Sequence, residues 1–221
     1  MSVNKRNGIK IFVASTVYNF QLDLDRIYEL LDNLGYDVMM SHKGTLPLDS
    51  SLANLDICVG SVDQCDVFLG LIRPDYGSGV LEKDGLSITH QEFRKAFDRK
   101  IPRFVLADYR VVFTRALFKD SYIVDNFTKK PIHFENISFE NSKVMDTRCL
   151  VLYEEAIQNR VKPFSKRIGN WVQEYKDIND ITLHLQSQFE YPQRIKELIK
   201  KANIIEQGEE SVAEESKKEK K

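Results

Sequence analysis

The sequence predicts an α/β protein built on a three-layer, doubly wound parallel sheet. Short runs rich in β-branched and aromatic residues alternate with amphipathic stretches through the first half of the chain. These runs are apolar at nearly every position, which is typical of strands that helices cover on both faces. Helices between such strands, joined by right-handed crossovers, fall on both sides of the sheet.

The predicted elements follow the order β-α-β-α-β-α-β. Residues 9–14 form the first strand, and apolar residues at helical spacing over 24–34 form the first helix, which Gly35 ends. The remaining strands are predicted at 36–40, 67–72 and 104–107, and the remaining helices at 52–62 and 87–99. Residues 49–51 are Asp, Ser and Ser, a composition typical of an N-terminal cap for the second helix.

The second half of the chain is predicted to extend this sheet, so that residues 1–206 form one domain. Its parts are a core over 9–107, an aromatic insertion with short helical pieces over 108–142, and a helical C-terminal part over 143–206. An edge strand is predicted at 171–175. Residues 207–221 hold nine charged residues and no aromatic one, so we expect a disordered tail.

The charge balance and the hydropathy pattern exclude several classes of partner. The chain has 32 Lys and Arg against 33 Asp and Glu, and its net charge of −1 supplies no general attraction to nucleic acid or an anionic membrane. No run approaches the roughly 18 to 20 apolar residues that span a bilayer, and residues 1–8 lack the apolar stretch of a signal peptide. The three cysteines form no C-x-x-C pair, which argues against a structural zinc site. We therefore expect a cytoplasmic protein without membrane, nucleic-acid or metal partners.

Ligands of an open parallel sheet bind beyond the carboxyl ends of its strands. The side chains that the topology places there are Ser15, Thr16 and Tyr18 after the first strand, Asp75, Tyr76 and Ser78 after the third, and His90 and Glu92 at the start of the third helix. Hydroxyl groups donate hydrogen bonds to phosphate and ribose, and tyrosine rings stack on bases. The same residue types also suit a tight turn or an aromatic rim, and Asp75 equally suits an ion pair with Arg73.

Glu92 is the candidate catalytic group. It lies beside the helical stripe of Phe93 and Ala96, and helical side chains lean toward the N-terminus of their helix, so its carboxylate is predicted to face the strand-end crevice. Thr89-x-x-Glu92 equally matches a capping box, in which the glutamate satisfies the N–H of the capping residue. His90-x-Glu92 is similar to the H-x-E of zinc deaminases, but the P-C-x-x-C segment of that metal site is absent. His90 is therefore expected to be a partly exposed first-turn residue.

Five segments carry a resemblance to a known family. They are KIFVAST at 10–16, LDLDR at 22–26, CDVFLGL at 65–71, DYGS at 75–78 and SITHQEFRKA at 87–96. This set resembles the domain-of-unknown-function family numbered four thousand and sixty-two, which is regarded as TIR-like and distantly similar to nucleoside 2-deoxyribosyltransferases. The sequence departs from that family at Ala14 and Asn19, where Ser and Asp are usual.

The resemblance implies a flavodoxin- or TIR-like fold and an enzymatic role for Glu92, because NAD-cleaving TIR enzymes and deoxyribosyltransferases place a catalytic Glu on the helix after the third strand. Breaking an N-glycosidic bond creates oxocarbenium character at the sugar, which a carboxylate stabilises or captures. The first hypothesis is a nucleotide N-glycosidase acting on NAD or a related nucleotide as substrate, with no separate cofactor, in a homo-oligomer serving defence or signalling. The alternatives are a non-enzymatic nucleotide-sensing or protein-interaction module and a nucleoside deoxyribosyltransferase.

Overall fold

Five parallel strands form the central sheet of the protein. They are β1 (Lys10–Ser15), β2 (Asp37–Met39), β3 (Val67–Ile72), β4 (Arg103–Asp108) and β5 (Val172–Tyr175). The strand order is β2-β1-β3-β4-β5, so its direction reverses between β1 and β3. This computed structural model describes residues 6–78, 85–120, 145–158 and 164–204.

Helices cover both faces of the sheet. They are α1 (Gln21–Asn33), α2 (Asn54–Ser61), α3 (Ile88–Asp98), α4 (Tyr109–Asp120), α5 (Arg148–Ala156), α6 (Ile178–Phe189) and α7 (192–204). One apolar cluster joins α1, α6 and α7 to one face, and a second cluster joins α2, α3, α4 and α5 to the other. The predicted three-layer, doubly wound α/β fold is therefore confirmed.

The apolar pattern of β3 explains why it lies at the centre. All six of its residues are buried, since alternate side chains pack into the two clusters on opposite faces. Gly70 in this strand allows Phe93 of α3 to approach the sheet closely, because a Cβ at Gly70 would overlap the Phe93 ring. This contact fixes the height of α3 above the sheet and thus the position of its first turns.

Two predictions about local structure are wrong. Helix α2 begins at Asn54 after Ala53 rather than after residues 49–51, because the Asp49 carboxylate accepts hydrogen bonds from Ser51 and closes a separate turn. Residue 108 ends β4 instead of opening an insertion, and α4 is one regular helix that packs against β4 and α5. Residues 121–144 and the tail at 207–221 lie outside the described residues.

The predicted edge strand is confirmed as β5, which pairs in parallel with β4. It gives the sheet a fifth strand, and its carboxyl end joins those of β1, β3 and β4 at one edge of the sheet. Within the described ranges, no helix combines the length and the apolar character that crossing a membrane requires.

Candidate functional site

The start of α3 is fixed by Ser87. Its hydroxyl accepts a hydrogen bond from the His90 N–H (3.2 Å), and its backbone is extended, as expected of a capping residue. Because the helix begins at Ile88, Glu92 lies in the second turn, beyond the reach of the capping position. The capping-box hypothesis for Thr89 and Glu92 is therefore wrong.

Glu92 is buried without a partner. Its residue is 4 % exposed, and no residue in the described part of the chain forms a hydrogen bond or an ion pair with its carboxyl group. Burial raises the pKa of Glu92 to about 8, so the group holds its proton at neutral pH. On the facing helix α2, burial raises the pKa of the Cys58 thiol, and the Glu92 charge adds to that shift. Glu92 thus lies in the second turn of α3, on the side of that helix that faces α2.

Three segments meet above this position. Thr16 directly follows β1, and its Oγ1 donates to the Asp75 carbonyl oxygen (2.8 Å) in the loop after β3. Gly77 in that loop has φ +94°, and a Cβ there would lie 3.2 Å from Thr16 Oγ1 and 3.8 Å from the Ser87 Cβ. Glycine thus allows the loop to pass between β1 and the start of α3, at the point where the strand order reverses.

Arg73 closes this edge toward α1. Its guanidinium donates to the carbonyl oxygens of Thr16 (3.0 Å) and Tyr18 (2.6 Å), and it forms an ion pair with Asp75 (3.1 Å). The same group lies 4.4 Å from the Phe20 ring centroid. The sequence-predicted ion pair with Asp75 joins the buried Arg73 guanidinium to a carboxylate whose side chain is 43 % exposed, so the pair lies at the surface of the sheet edge.

Tyr76 and His90 belong to a buried hydrogen-bonded chain. The Tyr76 hydroxyl lies 2.6 Å from His90 Nδ1, and His90 Nε2 lies 3.0 Å from Glu155 Oε2 on α5. A neutral imidazole protonated on Nε2 accepts from the tyrosine and donates to the glutamate. Arg94 donates to both carboxylate oxygens of Glu155, at 3.0 and 2.6 Å. His90 is 1 % exposed, so the prediction of a partly exposed histidine is wrong.

Glu155 is the residue of this chain that sequence reasoning missed. Burial acts to raise its pKa, but hydrogen bonds from His90 and Arg94 outweigh burial and lower it to about 2. It lies 65 residues after His90 in the sequence, so no local motif predicts that the two residues are paired. The packing of α5 beside α3 creates it.

The other predicted binding residues remain open to solvent at the same edge. Tyr18 is 67 % exposed, Ser78 is exposed, and Ser15 is half-buried with its hydroxyl directed to the Thr16 carbonyl oxygen (3.1 Å). The predicted site residues therefore fall into two sets, one engaged within the protein and one facing solvent. In the described ranges, no group of three or more His, Cys, Asp or Glu side chains is arranged to hold a metal ion.

A family model matches residues 10–190 of this chain. The chain belongs to the family described as domain of unknown function, DUF4062. No curated protein and no solved structure matches it. The DUF4062 match extends well beyond the segments that carried the resemblance and includes all five strands, Glu92 and Glu155. The similarity to TIR enzymes and to deoxyribosyltransferases stays a prediction.

Proposed function

We propose that this DUF4062 protein is a nucleotide N-glycosidase that cleaves NAD or a related nucleotide, with Glu92 as its catalytic carboxyl group. The supporting observation is the burial of Glu92 without a hydrogen bond from any described residue. Burying a carboxyl group without a partner is unfavourable. Ionisable groups with such perturbed surroundings concentrate at functional sites.

The chemistry that suits this group is rupture of the bond between the ribose C1′ and the base nitrogen. The bonding electron pair leaves with the base, positive charge develops at C1′ and the ring oxygen, and water adds to C1′ and releases a proton. A nicotinamidium ring brings its own positive charge and departs as a neutral base. That charge favours ionised Glu92, so substrate binding lowers the pKa of Glu92 and creates the carboxylate that stabilises the transition state.

In this proposal, some of the surrounding residues contact the nucleotide and the others hold the site in place. Exposed Tyr18 and Ser78 and half-buried Ser15 lie at the sheet edge and bind the sugar, base and phosphates of the nucleotide. The engaged residues hold the loop after β3 and the start of α3 in place beside the substrate. They are Thr16, Asp75, Tyr76 and His90. We extend the proposal to a homo-oligomer that acts in defence or signalling through nucleotide depletion.

The test is to incubate the purified full chain with NAD⁺ and to separate the products by chromatography. We expect free nicotinamide and ADP-ribose from the wild type, and a loss of roughly 100-fold or more in Glu92→Gln, whose melting temperature at pH 7 is no lower than that of the wild type. Glu29→Gln changes an exposed glutamate on α1 and serves as the matched control. Full turnover in Glu92→Gln would refute the catalytic role of this residue.

Deoxyribosyl transfer is the second candidate, and the protonated state of Glu92 favours it. A carboxylic acid that keeps its proton at neutral pH is suited to protonate a neutral leaving base. Incubation with 2′-deoxyinosine and free adenine distinguishes this reaction, since both outcomes release hypoxanthine but transfer also yields 2′-deoxyadenosine, whereas hydrolysis yields 2-deoxyribose. A rise in melting temperature with nucleotide, without any product, would instead support the non-enzymatic sensing module.

A further inference from the structure

Strand β5 lies at an edge of the sheet and is open on one side. It pairs with β4, and no other strand of the described residues pairs with it. The Glu174 carbonyl oxygen accepts a hydrogen bond from the Gln173 side chain (3.1 Å), so it is directed away from β4. The Lys176 N–H is also directed away, because it donates to the Asp180 carboxylate (2.8 Å). Backbone groups alternate in direction along a strand, so β5 presents the N–H and C=O groups of Val172 and Glu174 to a further strand.

A groove of about 410 Å³ lies beside β5, on the sheet face that α6 covers. Gln173 and Tyr175 line it from β5, and Leu183 and His184 line it from α6. Trp171 directly precedes β5 and is 76 % exposed, and Leu183 is 68 % exposed. Alternation along an extended chain places Trp171 on the same face as Gln173 and Tyr175. Each chain therefore carries an exposed indole and a groove with an exposed leucine on one face of the same edge.

We propose that β5 binds a second copy of this chain, with the two β5 strands antiparallel about a twofold axis at Gln173. In this register Val172 lies opposite Glu174 of the partner subunit, and the free backbone groups of both strands form N–H···O hydrogen bonds across the axis. The Lys176 N–H, which Asp180 already accepts, lies outside the paired segment. Trp171 lies opposite the partner's Tyr175 and enters the partner's groove. The twofold axis fills both grooves in the same way.

The charges along β5 favour this register and this partner. A shift by two residues would place Glu174 opposite its own copy, and like charges that lie directly opposite destabilise a sheet. Lys and Arg occupy positions 166–167 before β5, whereas Asp177 and Asp180 outnumber Lys176 after it. Antiparallel pairing brings the basic flank of each copy to the acidic flank of the other. The edge is therefore complementary to itself, as a twofold interface requires.

The interface rests on the proposed function only for its homo-oligomer, to which it gives a contact surface. Pairing at β5 joins the two sheets into one continuous sheet. Helix α3, which carries Glu92, packs against β1 and against Gly70 of β3, and β4 separates these strands from β5. Assembly and NAD⁺ cleavage are therefore measured independently of each other.

The first test is the mass of the full chain in solution, measured by size-exclusion chromatography with multi-angle light scattering. We expect the wild type at micromolar concentration to have twice the 25.7 kDa mass of one chain. Trp171→Lys is expected to raise the dimer dissociation constant roughly 30-fold or more, measured by sedimentation velocity over a dilution series, and to keep the melting temperature of the monomer. Leu48→Lys is the matched control, because Leu48 is 77 % exposed and follows β2 at the opposite edge of the sheet. It is expected to keep the dimer.

The second test determines the register. At the axis Gln173 faces its own copy as a non-hydrogen-bonded pair, in which the Cα atoms lie about 4.5 Å apart, within the range of a disulfide. Gln173→Cys is therefore expected to form a cross-linked dimer with diamide, which takes up the two electrons and two protons that the two thiols release. Non-reducing electrophoresis detects this dimer, and reduction removes it. Leu48→Cys and the wild type, whose Cys65 and Cys149 are buried, are expected to stay uncross-linked.

A monomeric wild type, a Trp171→Lys dimer as stable as that of the wild type, or no cross-link through Gln173→Cys would overturn the interface. A cross-linked dimer that does not cleave NAD⁺ would support the interface and refute only the N-glycosidase proposal. Cleavage of NAD⁺ by a monomeric wild type would refute the interface and leave the N-glycosidase proposal standing.

Discussion

Glu92 and Glu155 show how neighbouring groups decide what a buried carboxyl group can do. Glu92 lies on α3 and faces α2, and Glu155 lies on α5 and contacts α3. Burial raises the pKa of Glu92 to about 8 and acts in the same direction on Glu155. Hydrogen bonds from His90 and Arg94 reverse the outcome for Glu155, whose pKa falls to about 2. One glutamate is a stable anion that anchors α5, and the other keeps a proton that an incoming cation can displace.

His90 and Glu92 lie two positions apart on α3 but have different roles. His90 is satisfied at both ring nitrogens, so it holds the loop after β3 and α5 together. Glu92 has no such bonds from the described residues, so its removal is expected to cost the fold little, and under the proposed function it removes the catalytic group. The following variants test whether His90 contributes to stability and Glu92 does not.

The largest effect on stability is expected from breaking the hydrogen bonds that link Tyr76, His90 and Glu155. His90→Ala removes the hydrogen bonds that His90 forms with the Tyr76 hydroxyl and with Glu155, at a cost of about 3–5 kcal/mol in the free energy of unfolding. Urea denaturation followed by circular dichroism measures this loss. His42→Ala is the control, because its contact with Asp25 lies near the surface and contributes less than about 1 kcal/mol. Equal losses in the two variants would contradict the anchoring role of His90.

A smaller loss of stability is expected from moving α3 without changing His90 or Glu92. Gly70→Ala forces its Cβ against the Phe93 ring and lifts α3 from the sheet, which destabilises the fold by about 1–3 kcal/mol. Gly60→Ala on α2 is the matched control. It has open space around it and is expected to stabilise its helix by up to about 1 kcal/mol. Both are read from urea denaturation midpoints, and an unchanged midpoint for Gly70→Ala would contradict the close packing of α3.

The fold was largely predictable because its signals are local. The apolar run of β3 and the helical stripes of α1 and α3 fix the element types, and all three elements lie where the sequence predicts them. Helix α4 was predicted only as short helical pieces within 108–142, because its apolar residues show no clean helical period and its extent depends on packing against β4 and α5. The end of β4 at Asp108 was missed because strand pairing extends past the apolar run.

The site was predictable only in part, because spacing locates a residue but does not reveal its partners. The topology places Glu92 near the carboxyl edge, yet its lack of hydrogen bonds depends on where α2 packs. Glu155 and Tyr175 reach the edge through α5 and β5, far along the chain from the motifs that carried the analysis. Long-range packing decides which of these polar groups is an anchor and which is unpartnered.

The pH dependence of stability tests the central claim, an unpartnered carboxyl group at Glu92, most directly. The unfolded chain releases the Glu92 proton near pH 4.5, whereas the folded chain keeps it until about pH 8. Because the folded state binds more protons between these values, Glu92 makes the wild type less stable as pH rises. Urea denaturation of the wild type and Glu92→Gln from pH 5 to 8 isolates this contribution. We expect the variant to gain roughly 1 kcal/mol per pH unit relative to the wild type over that range, with the gain per unit falling as the pH nears 8. A difference between the two proteins that does not change with pH would contradict the account.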